Sequence, residues 1–324
     1  MFEIRRYTPD AAREWNQFVD ASRNATFLFR REYMDYHADR FHDCSWMAYK
    51  GNRLMALLPA NLDDGMTLHS HQGLTYGGWI LPPAHLDGAG LLDIFLEAVE
   101  VWRNMGISQL IYKPLPHIYA KSPSDEDLYA LFRLGAQLIQ ADISSTAPLG
   151  EGVHFNSQQR RHLASALKAG AYVRELHGED EIREFMAMLA DCLAERHGAK
   201  PVHSPEEMLL LAGRFPGNIR FFGASTQDCG NDSGDSGIDA GVCIYDTGIV
   251  AHAQYIATTP RGRVLNLLTP LFHHLMAETF ANRRFFDFGI SNEDHGRYLN
   301  AGLLRQKFSY GATATAHLRF HLPL

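Results

Sequence analysis

One carboxylate, Asp287, interrupts the aromatic run Arg284-Phe285-Phe286-Asp287-Phe288-Gly289-Ile290, and a glycine closes that run. This is the pattern of a short buried strand that ends at a site. Phe286 and Phe288 should point to the face opposite Asp287. A carboxylate so placed can orient or deprotonate a ligand, or it can tie down the following loop through nearby backbone donors. On the preceding strand, His252, Gln254 and Tyr255 stand where apolar residues would suffice. His252 and Gln254 share a face, and His252 has the near-neutral reference pKa that suits proton transfer. Lys307, beside Phe308 near a helix end, could reach a ligand carboxylate or phosphate, or could complement the helix dipole.

The histidines and cysteines suggest less. Seventeen histidines include His69-Ser70-His71 and His273-His274. The first pair alternates on one strand face, yet no carboxylate or cysteine stands at a familiar ligand spacing, so no metal is expected. Cys44, Cys192, Cys229 and Cys243 are scattered without a C-x-x-C pair, and spacing encodes neither a disulfide framework nor a zinc site.

The elements that must position these residues come in two similar series. The first half reads as a strand Phe2 to Tyr7, a helix Ala11 to Ala21, a helix near Arg30 to Arg40, and a hairpin from Trp46 to Ala60. A glycine-rich strand from Leu68 to Ile80 follows, either a bend or a ligand-facing wall. Next come a helix Gly88 to Met105 capped by Asp87, a strand Ile107 to Tyr112, a helix Ser124 to Leu134 and a strand Ala136 to Ser144. A basic helix, Asn156 to Ala169, separates the halves. The second half has a strand Tyr172 to Leu176, helices Glu179 to His197 and Ser204 to Arg214, and strands Ile219 to Ala224, Ile238 to Tyr245 and Ile249 to Thr258. The segment Gln227 to Gly237, rich in Asp, Ser and Gly, reads as a mobile hairpin tip. A helix Leu267 to Ala281, the aromatic strand, a helix Tyr298 to Tyr310 and a strand Thr313 to Phe320 complete the order.

The F-D-F-G strand, a polar loop, a helix with G-L-L-x-x-K-F (Gly302 to Phe308), then Gly311-Ala312 and a final strand resemble the C-terminal signature of FemAB-like members of the GNAT acyltransferase superfamily. The close match covers about 30 residues, and the order of elements extends it along the chain. The fold class implied is α/β (mixed α+β), with two tandem GNAT-like domains, each a mixed, mostly antiparallel sheet flanked by helices. The domains would span 1–146 and 170–324, with a linker helix in 147–169. No long charged antiparallel helix pair interrupts the second half, which argues against an aminoacyl-tRNA donor.

The resemblance also implies a chemistry: transfer of an acyl group from acyl-CoA to an amine of a sugar, peptide or amino-acid-like acceptor. Two splayed strands, Ala251 to Thr258 and Phe285 to Gly289, would hold His252 and Asp287 on opposite walls, with Gln254 beside the acceptor and Lys307 at the rim. Tyr298 matches in position the tyrosine that protonates the leaving thiolate. Arg261, Gly262 and Arg263 stand where the phosphate loop of coenzyme A would lie, although the family's glycine pattern is incomplete there. If the halves pack as in FemAB-like proteins, His71, Gln72, Tyr76 and Arg160 would line an interdomain cleft for the acceptor. The rival reading is a non-catalytic binding or assembly protein that keeps the fold without the donor site.

Composition sets the outer limits. The chain has 324 residues, 46% hydrophobic and 21% charged, with room for two cores. A formal charge of −7 and the absence of a long Lys/Arg run argue against DNA as partner. No apolar stretch has the length of a signal-peptide core or a membrane span, and a cytoplasmic location is expected. Oligomeric state is open.

Overall fold

The hydrophobic patterning folds into two units, and the computed structural model describes residues 1–226 and 237–324, the side chains of Arg196 and His197 excepted. The hairpin tip expected from Gln227 to Gly237 therefore lies outside the described residues, apart from Gly237. The first unit comprises 1–143, 292–298 and 315–324, and the second 144–291 and 299–314. This division differs from the expected spans: the basic helix Ser157–Lys168 lies within the second unit. The strand Gln137–Pro148 starts in the first unit and ends in the second, and the strand Thr313–Pro323 does the reverse. No helix among the described residues is long and apolar enough to cross a membrane.

The first unit is built on the helix Gly88–Asn104. Asp87 caps it by accepting from the Gly90 amide at 2.9 Å, and Leu91, Ile94, Phe95, Ala98, Val99 and Trp102 form its buried stripe. That stripe packs on Trp46, Met55, Leu58, Leu68, Leu110 and Tyr112. Strands Glu3–Arg6, Trp46–Lys50 and Arg53–Leu58 form an antiparallel sheet, and Thr67–His69 pairs in parallel with Gln109–Tyr112. The glycine-rich strand expected from Leu68 to Ile80 is only Thr67–His69; the rest is irregular until Ile80 bridges Leu57. The helix expected near Arg30 to Arg40 is Arg31–Met34, followed by a tight 3-10 turn, Asp35–His37, that buries His37.

The second unit is a sheet in the order Gln137–Pro148, Phe285–Ile290, Val250–Thr258, Ala240–Asp246, Ile219–Thr226, Ala171–Leu176. Its pairs are antiparallel except one. Alternation sends neighbouring side chains to opposite faces. Phe221 meets Phe185 of the helix Gly178–His197, while Phe222 meets Phe280 on the other side. The helix Pro205–Arg214 starts with a capping box in which Ser204 and Glu207 satisfy each other's amides. Phe286 and Phe288 bury against Phe272 and Tyr310, leaving Asp287 to the opposite face, as the aromatic run implied.

Candidate active site

The site grows from an irregularity between two parallel strands of the second unit. Val250–Thr258 and Phe285–Ile290 pair only as Val250 with Phe285, Ala251 with Phe286 and His252 with Asp287. On the other edge of the first strand, Tyr255 opposes Cys243 while Ala253 opposes Ile244, so Gln254 is the extra residue of a β-bulge. On the other edge of the second, the register slips between Asp287 and Ile290, where Gly289 takes φ 77°. A side chain is strained at that angle, and glycine is not. The two breaks bracket the last common pair, His252 and Asp287.

Asp287 is fully buried. A carboxylate survives there only with partners. Its Oδ1 accepts from Ser144 Oγ at 2.5 Å, Thr146 Oγ1 at 3.2 Å and the Gly289 amide at 3.2 Å. Its Oδ2 lies 2.9 Å from His252 Nδ1. A carboxylate only accepts, so the proton belongs on Nδ1 and the lone pair on Nε2. His252 keeps 13% of its side chain exposed. An imidazole oriented in this way by a buried carboxylate can take a proton from a bound nucleophile.

Lys307 is placed differently from the expectation of a ligand contact. It is buried, and its Nζ donates to the carbonyls of Gly289 at 2.9 Å and Ile290 at 2.6 Å. The ammonium thus ties down the backbone where the strand register slips at Gly289. Burial lowers the Lys307 pKa to about 8, against the opposing pull of Asp287.

The remaining predicted residues fall elsewhere or are already engaged. Arg261 binds Asp239 and, at 2.7 Å, Thr226 Oγ1; Arg263 contacts Glu195 at 3.2 Å and the Thr258 carbonyl at 3.2 Å. They lie on a short helix, Pro260–Val264, capped by Thr259, whose Oγ1 accepts from the Gly262 amide at 3.0 Å. Gly262 itself is explained by packing, since a Cβ there would sit 2.1 Å from the Asp239 carbonyl oxygen. The last helix is Ala301–Phe308 and does not start at Tyr298, because Asn300 caps it through the Leu303 amide at 3.0 Å. Tyr298 opens the two-residue strand Tyr298–Leu299, is itself counted with the first unit, and is 57% exposed. In the first unit, Tyr76 is buried with its hydroxyl 3.3 Å from Thr26 and its ring on Tyr119; His71 is also buried. Gln72 is exposed and exchanges two 2.7 Å bonds with Asn61. Arg160 lies in the second unit, donates to the Phe155 carbonyl at 2.6 Å, and borders a cavity of about 440 Å³ with His154 and His273.

Ser144 and Thr146 were not foreseen. Their signal is the polar run Ser144-Ser145-Thr146 inside a strand, all of it buried. Such a run announces a hydrogen-bond network. At the far end of the His252 strand lies a second cavity of about 320 Å³, lined among others by Thr258, Gly262, Arg263, Asn266, Gln306 and Tyr310.

No protein-family model and no curated protein sequence matches the chain. Solved structures do. A structure titled "Crystal structure of FemX" aligns with TM-score 0.69 at 13% identity, over 99% of this chain and 97% of that one. The chain has a tandem GNAT fold of the FemAB-like kind. A tandem GNAT protein from the clavulanic acid biosynthesis pathway aligns with TM-score 0.52 at 13% identity, over 100% of this chain and 98% of that one. The L-PGS of Bacillus licheniformis aligns with TM-score 0.60 at 11% identity, over 97% and 91%. At these identities the likeness is one of fold.

Proposed function

We propose that the second unit transfers an acyl group from a thioester, an acyl-CoA, to an amine of a sugar, peptide or amino-acid-like acceptor. His252 acts as general base and Asp287 positions it. The observation that carries this reading is the 2.9 Å contact of His252 Nδ1 with Asp287 Oδ2 at the last paired residues of two parallel strands. In the reaction the amine nitrogen attacks the thioester carbonyl carbon. The C–N bond forms, the C–S bond breaks, the amine proton passes to His252 Nε2, and the leaving thiolate takes that proton back from His252, which restores the base. The bulge at Gln254 leaves backbone unpaired on the same strand, where a developing oxyanion needs a donor. We put the donor in the 320 Å³ cavity at Thr258, at that strand's end. The fold shared with FemX and a tandem GNAT protein agrees with the reading and says nothing of the substrate.

The rival reading, a binding or assembly protein, draws on one observation: Arg261 and Arg263 are both paired with carboxylates. A thermal-shift series with acetyl-, succinyl- and long-chain acyl-CoA separates the two. A ligand at a hundred times its Kd stabilises by about 2.7 kcal/mol, which raises the melting temperature by several degrees. No shift with any acyl-CoA at millimolar concentration favours the binding protein.

A further inference from the structure

Three segments of the first unit bring cation-capable side chains into its interior. The 3-10 turn Asp35–His37 supplies His37, the irregular stretch after Thr67–His69 supplies His71, and Lys113 follows the strand Gln109–Tyr112. Lys113 staples the second segment at both ends. Its amide donates to Ser70 Oγ at 2.7 Å, and its Nζ donates to the Leu74 carbonyl. His37 and His71 are each 2% exposed, and their rings face each other at 5.2 Å and 16°. Both ring nitrogens of His37 and Nδ1 of His71 are buried without a hydrogen-bond partner. His71 also takes φ 67°, a left-handed conformation uncommon outside glycine.

Buried polar atoms are nearly always paired, and backbone strain gathers where a ligand is held. These departures meet within one cluster. The charged groups acting on His71 are His37, Lys113 and Arg31, all of one sign. Arg31 is already held by Asp35 and, at 2.7 Å, by Asp43, while Asp39 and Arg40 beside His37 are exposed. The cluster therefore offers donors and positive charge, and its own acceptors are neutral backbone groups: the Leu74 carbonyl takes up Lys113 Nζ, and the backbone of Gly73 and Met34 lies toward His37. Burial first, and then the Arg319 charge, lowers Lys113 to about 7; burial and the neighbouring cations hold His71 well below its ordinary value, and burial lowers His37 against the backbone of Gly73 and Met34, so an incoming negative charge would restore their protons.

We infer that the first unit holds a binding site for an oxyanion, a carboxylate or phosphate group of a ligand, formed by His37, His71 and Lys113. The aromatic rings of Tyr36 and Phe41, at 4.2 Å and 4.9 Å from the His37 ring, wall it. The inference stands on the first unit alone and does not depend on acyl transfer in the second.

The test is a titration of the full chain, labelled with 15N-histidine, with inorganic phosphate and separately with acetate at constant ionic strength. His37→Phe and His71→Asn assign the signals; the first keeps an aromatic ring, and the second tolerates the left-handed backbone. Saturable shifts of the His37 and His71 ring nitrogens are expected with at least one anion, and the anion that works identifies the ligand group. Lys113→Met, which keeps the apolar stem, should weaken that anion at least about tenfold by removing a charge-assisted donor. Absence of a saturable shift with both anions overturns the inference, and so does a folded Lys113→Met that binds as the parent does. If Lys113→Met fails to fold, the titration of the parent decides alone.

Discussion

Replacing Asp287 by Asn is the most informative single change, because it keeps shape and reverses one hydrogen bond. The amide oxygen can go on accepting from Ser144, Thr146 and Gly289. The amide NH2 then faces His252 Nδ1 in place of the carboxylate oxygen. A donor there requires Nδ1 to accept, which moves the ring proton to Nε2, the nitrogen that must receive the substrate proton. A misassigned tautomer removes the general base, so turnover should fall on the order of 10²–10⁴-fold. Hydrogen bonds to a charge are worth about 1.5–3 kcal/mol and neutral ones about 1, so weakening those at Asp287 should cost about 2 kcal/mol. For a unit of this size that is a fall of about 4–8 °C in melting temperature. Steady-state kinetics beside calorimetry would measure both. A variant with full turnover refutes the positioning role, and one with unchanged melting temperature refutes the view that the buried carboxylate holds the strand ends together.

Ser144→Ala removes the 2.5 Å donor and leaves the His252 contact, so stability should fall by about 1–3 kcal/mol in urea denaturation while turnover changes less than in Asp287→Asn. Gly262→Ala places a Cβ 2.1 Å from the Asp239 carbonyl and should destabilise the ligand-free protein by about 1–3 kcal/mol; an unchanged melting temperature would return Gly262 to a ligand-binding role. Lys307 is held at about 8 when folded against 10.5 ordinarily. Between those values the unfolded chain binds the proton and the folded chain does not, so this group's contribution is full above 10.5 and is lost as pH falls towards 8. The stability gap between the parent and Lys307→Met should therefore move in the parent's favour as pH rises from 8 to 10.5, and a flat gap would contradict the buried placement.

What the sequence made legible was local. The aromatic run, its single carboxylate and the closing glycine predicted the strand Phe285–Ile290 and the facing of Asp287 away from Phe286 and Phe288. Ser204 with Glu207, and Asp87 before an apolar stripe, marked two helix starts to within a residue. What depends on register was hidden. The bulge at Gln254 comes from a slip against Cys243 and Ile244, and no residue type announces it. Ser144 meets Asp287 across 143 positions of chain. Lys307 was visible as a charge beside an apolar residue, but only the turn at Gly289 decides that its ammonium points at backbone carbonyls. The pattern alone starts the last helix at Tyr298, whereas the Asn300 side chain caps it two residues on.

If His252, oriented by Asp287, is the base of an acyl transfer, thiol release from acyl-CoA in the presence of amine acceptors must depend on it, and the parent and His252→Gln are compared at equal concentration. The parent should release thiol in an amine-dependent way, and His252→Gln should lose about 10²-fold or more of that rate with acyl-CoA affinity retained. Equal release by the two proteins, once a turning-over donor and acceptor are in hand, would contradict that role.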